Sequence, residues 1–161
     1  MRDSLSKRVV LRMLIAIILF IPVTGLTAPD PFAGNWKLNL AKSRMDPDHH
    51  PVSAMMRFEP SATGYRLTVE GTHEAGDKVS NTVELNLDGR DHLVPGEFPE
   101  MLTSASRPKP NLIEIYARKA GQVVSRNTLE VSKDGKKLTS TIYTKDGKKM
   151  SVKSVGVFDR Q

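Results

Sequence analysis

At 161 residues the chain is one domain long. It has no cysteine, which excludes disulfides, thiol catalysis, thiolate metal sites and a lipid-modified N-terminal cysteine. Its net charge of +6 suggests an anionic partner, but residues 1–28 carry +3 of it, and the remainder is too mild to argue for nucleic-acid or membrane binding.

The first 28 residues read as an address. Arg2, Lys7, Arg8 and Arg12 form a basic start, and the apolar run "MLIAIILFI" follows over 13–21. Pro22 and Gly25 break the run, and "LTA" ends at Ala28. This is the order of a secretory signal. The run is shorter than the ~20 apolar residues a spanning helix needs. Leu26 departs from the small residue of an A-x-A site. The expectation is a signal helix over 1–28, cleaved after Ala28, and a mature domain over 29–161. That domain would be secreted or periplasmic, with no stable membrane insertion once the signal is gone. Without disulfides it must hold itself together by its core.

From Phe32 onward the hydrophobic period is two. Phe32, Gly34, Trp36, Leu38 and Leu40 alternate with polar or small residues. Residues 41–51, with two prolines, predict a short helical turn and then a loop. Tyr65, Leu67 and Val69 form the next stripe, and Val83, Leu85 and Leu87 the one after. Residues 95–110 hold four prolines and predict irregular chain or an edge strand. Strand-length runs over 112–118, 123–131, 138–144 and 150–158 complete the chain. No helix longer than a turn or two is expected after residue 28.

Between the runs lie Thr63-Gly64, Asp88-Gly89, Ala120-Gly121, Asp134-Gly135 and Asp146-Gly147. Such pairs mark hairpins, because tight turns need the positive φ that Gly and Asp tolerate. "KDGKK" occurs twice, over 133–137 and 145–149, as turn chemistry shared by successive hairpins. The fold class that follows is all-β. A meander of roughly eight to ten strands avoids open edges by closing into an antiparallel up-and-down β-barrel. An open curved sheet is the alternative.

"F-x-G-x-W-K-L" over 32–38 resembles the first strand of lipocalins and fatty-acid-binding proteins, and "VGVFDRQ" over 155–161 resembles the last strand of the latter. More broadly, "DPFAGNWKLNLAKSRMDP" with "VSKDGKKLT" resembles small secreted bacterial lipocalin-like proteins of unassigned function. The resemblance implies a lipocalin-like β-barrel domain over 29–161, with Trp36 as a structural plug of the closed end. A buried indole fits that role, since it covers much apolar area and needs one partner for its N–H. The Arg-x-Tyr with which many fatty-acid-binding proteins hold a carboxylate falls here on Gly156 and Phe158, neither of which binds an anion.

No constellation points to an enzyme. There is no G-x-S-x-G, no H-E-x-x-H and no phosphate-cradling loop. Asp46, Asp48, His49 and His50 have metal-capable side chains, but adjacent histidines in an extended chain point apart, so no metal site and no cofactor is expected. The lysines of the two "KDGKK" turns lack the interleaved aromatics of single-strand nucleic-acid binding.

The inner stripe is more informative. With Trp36, Leu67 and Leu85 facing in, Ser125, Asn127, Ser140 and Ser154 share a face with Val123, Leu129, Val131, Leu138, Ile142, Val152 and Phe158. Small polar groups on an apolar face are costly in a dry core unless paired. A slip of one residue would exchange them for Arg126 and Tyr143 and make Arg118 and Arg126 anchors for an anion. The expectation is an exported, non-enzymatic lipocalin-like protein that holds a small lipophilic ligand, with Tyr65, Ser125, Asn127, Ser140 and Ser154 as contacts. The alternative is a cell-envelope interaction module, its barrel filled, touching a protein partner through 41–51 or 95–110, which an exposed apolar patch near Phe98, Met101 and Leu102 would favour.

Overall fold

The computed structural model describes residues 29–46, 51–94, 100–147 and 149–161. The expected signal helix, Asp48, His49, His50 and Phe98 lie outside the described residues. Among the described residues, no helix is long and apolar enough to cross a membrane.

Ten strands follow one another in chain order: β1 (Gly34–Leu38), β2 (Pro51–Pro60), β3 (Gly64–His73), β4 (Lys78–Asn86), β5 (His92–Leu93), β6 (Met101–Lys109), β7 (Leu112–Lys119), β8 (Gln122–Val131), β9 (Lys137–Asp146) and β10 (Lys149–Arg160). The expected 3-10 turn is there, over Leu40–Lys42. All pairings are antiparallel, in the order β4-β3-β2-β1-β10-β9-β8-β7-β6-β5. This is the expected meander, curled into a half-barrel. The first strand pairs with the last, while β4 and β5, the two ends of the order, leave an open seam.

One strand, β2, departs from the reading of the sequence. β2 lies where a loop was expected to end, and its inward stripe of Ala54, Met56 and Phe58 packs in or against the core. β6 is the edge strand expected of the proline-rich segment, since only the two residues of β5 pair beyond it. Its one proline, Pro108, sits near the end of the strand, where the register shifts between Ser106 and Lys109, so the ladder before it is intact.

Glycine is required where the chain turns hardest. Gly64 has φ +153°, and a Cβ there would collide with the Leu85 carbonyl. Ala120 and Gly121 both have positive φ, the conformation of a two-residue hairpin.

The core occupies one end of the sheet. Phe32, Trp36, Phe58, Tyr65, Ile113, Leu129, Val131 and Leu138 are all essentially sealed from solvent. Phe32, Phe58 and Tyr65 form an aromatic triangle with ring centres 5.7–6.0 Å apart. Three stripe residues are displaced. A bulge at Ala117/Arg118 sets Val123 opposite Arg118 on the outer face. Leu40 lies in the 3-10 turn, past the end of β1, and is 44% exposed. Val152 pairs with Tyr143 on the opposite face, because a bulge between Val152 and Ser154 moves it off the stripe.

Candidate functional site

The closed end is built from the residues just after the apolar N-terminal run. Trp36 Nε1 donates to the Phe32 carbonyl at 2.8 Å, which satisfies the indole without breaking the seal. The Arg160 guanidinium lies 4.1 Å from the centre of the Trp36 ring. It also donates to the carbonyls of Ala33, Pro31 and Gly135, so it caps the plug and fastens the C-terminus.

Beside it, Asp30, Tyr65 and Arg107 form a closed network. The Tyr65 hydroxyl donates to Asp30 and accepts from Arg107 at 2.9 Å, and Arg107 reaches the Asp30 carboxylate at 3.2 Å. Arg107 also lies 5.3 Å over the Phe32 ring. Burial and then the Asp30 carboxylate push the Tyr65 phenol far above its usual range. Burial alone would raise the Asp30 carboxyl, but the hydrogen bonds from Tyr65 and the Phe32 N–H, with Arg107 beside it, hold it below the usual carboxylate value. Nothing in the spacing of residues 30, 65 and 107 announces this network.

Above that floor, alternation along the paired strands sorts the inner face into rows. The lowest is Leu38, Phe158, Leu138 and Val131, wholly apolar. Next come Gly156, Ser140, Leu129 and Ile113. The third is Ser154, Ile142, Asn127, Ile115 and Ala105. The fourth is Thr144, Ser125, Ala117 and Thr103. Polarity therefore rises row by row toward the open end.

The structure thus brings Ser125, Asn127, Ser140 and Ser154 together on the inner face of β8, β9 and β10. Ser140 and Ser154 are buried, and Ser125 and Asn127 are half-buried. Ser140 Oγ donates to Asn127 Oδ1 at 3.1 Å. That bond leaves the Asn127 NH2 group, with two donors, available to a further acceptor. Tyr65 stands apart from these four, at the closed end, with its hydroxyl engaged by Asp30 and Arg107.

The opposite face carries Arg118 and Arg126. Arg126 pairs across the ladder with Tyr116 and Tyr143, lies over both rings and bonds Glu114 at 2.6 Å. Arg118 lies over Tyr116 and bonds Asp91 at 2.7 Å. The slipped register, which would turn Arg126 inward, is not the one adopted. Asp46 is buried and pairs with Lys153 at 3.1 Å. Among the described residues no group of three or more His, Asp or Glu side chains could hold a metal ion. A cleft of about 390 Å3 crosses β1–β4 near Lys37, Met55 and Lys78, and it touches none of the inner serines.

No protein-family model matches the chain, and no curated protein matches it in sequence. Solved structures do. One is As-p18, an extracellular fatty acid binding protein, with 14% identity and TM-score 0.50 over 83% of this chain and 98% of that one. Another is the zebrafish ileal bile acid-binding protein complexed with cholic acid, with 13% identity and TM-score 0.51 over 81% of this chain and 99% of that one. At such identity the likeness is one of fold: the curled antiparallel meander of this chain resembles the barrels of these two proteins.

Proposed function

We propose that this chain is an exported, non-enzymatic protein that holds a small apolar or amphipathic molecule inside its curled sheet. One observation carries the reading: the inner face is graded, from an apolar floor at Leu138 and Val131 to a polar upper row at Ser125 and Thr144. A dry core gains nothing from serines in those rows, whereas an amphipathic guest pairs with them. The guest's apolar part lies against Leu129, Ile115 and Ile142. Its polar part meets Ser125, Asn127, Ser140 and Ser154. Tyr65 offers only its ring, beneath the guest, and Trp36 seals the base. The printed ligand classes of the two fold relatives, a fatty acid and a bile acid, favour a lipophilic guest.

Export is supported by the signal-like order of residues 1–28. The absence of catalytic chemistry is supported by the second and third inner rows, whose described members are all neutral, and by His92, which faces Thr103 in the fourth row but is bonded to Asp88. The test is native mass spectrometry of the protein purified from its own cell envelope. The reading predicts a bound lipid-sized mass and an N-terminus at Pro29. A clean mass with a co-purifying protein would support an interaction module instead. The feature that would serve such a module is Leu93, 70% exposed at the open seam and paired with Leu102.

A further inference from the structure

We infer that the interior selects neutral amphiphiles, such as long-chain alcohols and monoacylglycerols, and discriminates against the corresponding carboxylic acids. The inference rests on the ligand-binding reading above and narrows it to a chemical class.

A carboxylate brought into a low-dielectric cavity needs a cation or several donors to replace its water. Among the described residues, two arginines face the inner side, and both are already committed. Arg107 is held by the Asp30 carboxylate, the Tyr65 hydroxyl and the Pro110 carbonyl. Arg160 is spent on three backbone carbonyls and the Trp36 ring. Both belong to the closed end, beneath or beside the apolar row of Leu138 and Phe158. At the mouth stand Lys119, opposite Met101 with Glu100 at 3.9 Å, the exposed Lys149 opposite Asp146, and His92, bonded to Asp88 at 3.0 Å; all lie above the second and third rows and are open to water. Lys153 is paired with Asp46.

The last strand cannot supply a replacement cation near the floor. At Gly156 an added Cβ would already stand 2.9 Å from the Phe158 ring, so that ring fills the space a longer side chain would need. What remains to meet a head group within the second and third rows is uncharged: the Ser140–Asn127 pair and Ser154, with Ser125 above them. Hydroxyls and an amide both donate and accept, which suits an alcohol or a glyceryl ester. An ionised carboxylate can accept from the Asn127 NH2 and the serine hydroxyls, but these neutral donors replace its water without supplying a counter-charge.

The experiment is isothermal titration of the mature domain with 1-monolaurin, methyl laurate and sodium laurate at pH 8, where a carboxylic acid is ionised. Monolaurin is expected to bind at least about tenfold more tightly than laurate, with methyl laurate between them. In the variant Asn127→Arg that preference is expected to shrink or reverse. Laurate binding as tightly as monolaurin to the unaltered protein would overturn the inference and leave the ligand-binding reading intact. Failure of all three to bind, together with a clean native mass, would overturn both.

Discussion

Arg160 holds its guanidinium 4.1 Å from the centre of the Trp36 ring, and so joins the final residues of the last strand to the first. The register of β1 against β10, in which Trp36 stands opposite Arg160, is what makes the stack. A cation over an indole adds to the hydrogen bonds its fork makes. Arg160→Ala should therefore lower unfolding stability by about 2–4 kcal/mol. Arg160→Lys should recover little of it, because an ammonium has no planar fork to share among three carbonyls. Urea unfolding followed by the fluorescence of the single tryptophan reads both.

The Asp30–Tyr65–Arg107 network sets an acid limit. The Asp30 carboxyl is held below its ordinary value in the fold. Its contribution is therefore complete above the unfolded value, near pH 4, and is lost as pH falls through the lower folded value. Asp88, Asp134 and Asp159 are shifted in the same direction and share that limb. Asp30→Asn should make stability between pH 5 and pH 2 less steep, without abolishing the slope. Thermal melts across that range measure it.

The same network sets an alkaline limit. Tyr65 is raised in the fold, so its contribution is complete below the unfolded phenol value, near pH 10, and is lost above it. Tyr65 should stay protonated in native protein at pH 11. The ultraviolet titration curves of the native protein and of Tyr65→Phe should therefore coincide up to the pH of unfolding, and diverge there by one phenolate.

Ala120 has φ +49° at the tip of the β7–β8 hairpin, where an L side chain is strained. Ala120→Gly should stabilise the protein by up to about 1 kcal/mol, the left-handed strain outweighing the added freedom of the unfolded chain. Gly64→Ala should do the reverse and cost more than about 2 kcal/mol, because its Cβ meets the Leu85 carbonyl. Denaturant midpoints of the two variants give the comparison directly.

The inner polar pair separates stability from binding. Ser140→Ala alone strips Asn127 Oδ1 of its donor and should cost about 1 kcal/mol. The double variant Asn127→Leu with Ser140→Ala removes both partners and should be neutral or slightly stabilising. It should nevertheless bind monolaurin at least about tenfold more weakly. A double variant with unchanged affinity would place the head group elsewhere.

Period-two alternation and Asp-Gly turns made most of the meander legible, because a strand with one face buried writes that face into its sequence. β2 was hidden. Its inward Ala54, Met56 and Phe58 alternate with Met55 and Arg57, so two adjacent methionines blur the pattern. β6 was legible only as irregular chain or an edge strand, because a proline counts against a ladder unless it falls at its end, as Pro108 does. The displacement of Val152 comes from one bulged residue, and a bulge changes parity without changing composition. The serine and asparagine rows could be anticipated from parity alone. The Asp30–Tyr65–Arg107 network could not, because its members meet across 35, 42 and 77 positions of chain.

The central claim is that a neutral amphiphile sits on the inner face of β7–β10, and methyl-resolved NMR during a titration with 1-monolaurin tests it most directly. The account predicts saturable shifts at Ile115 and Ile142, which share the row of Asn127 and Ser154, with Leu129 moving as well. Val155 faces the other way and should stay still. Shifts confined to Met55 and Val79, at the cleft across β1–β4, would contradict it.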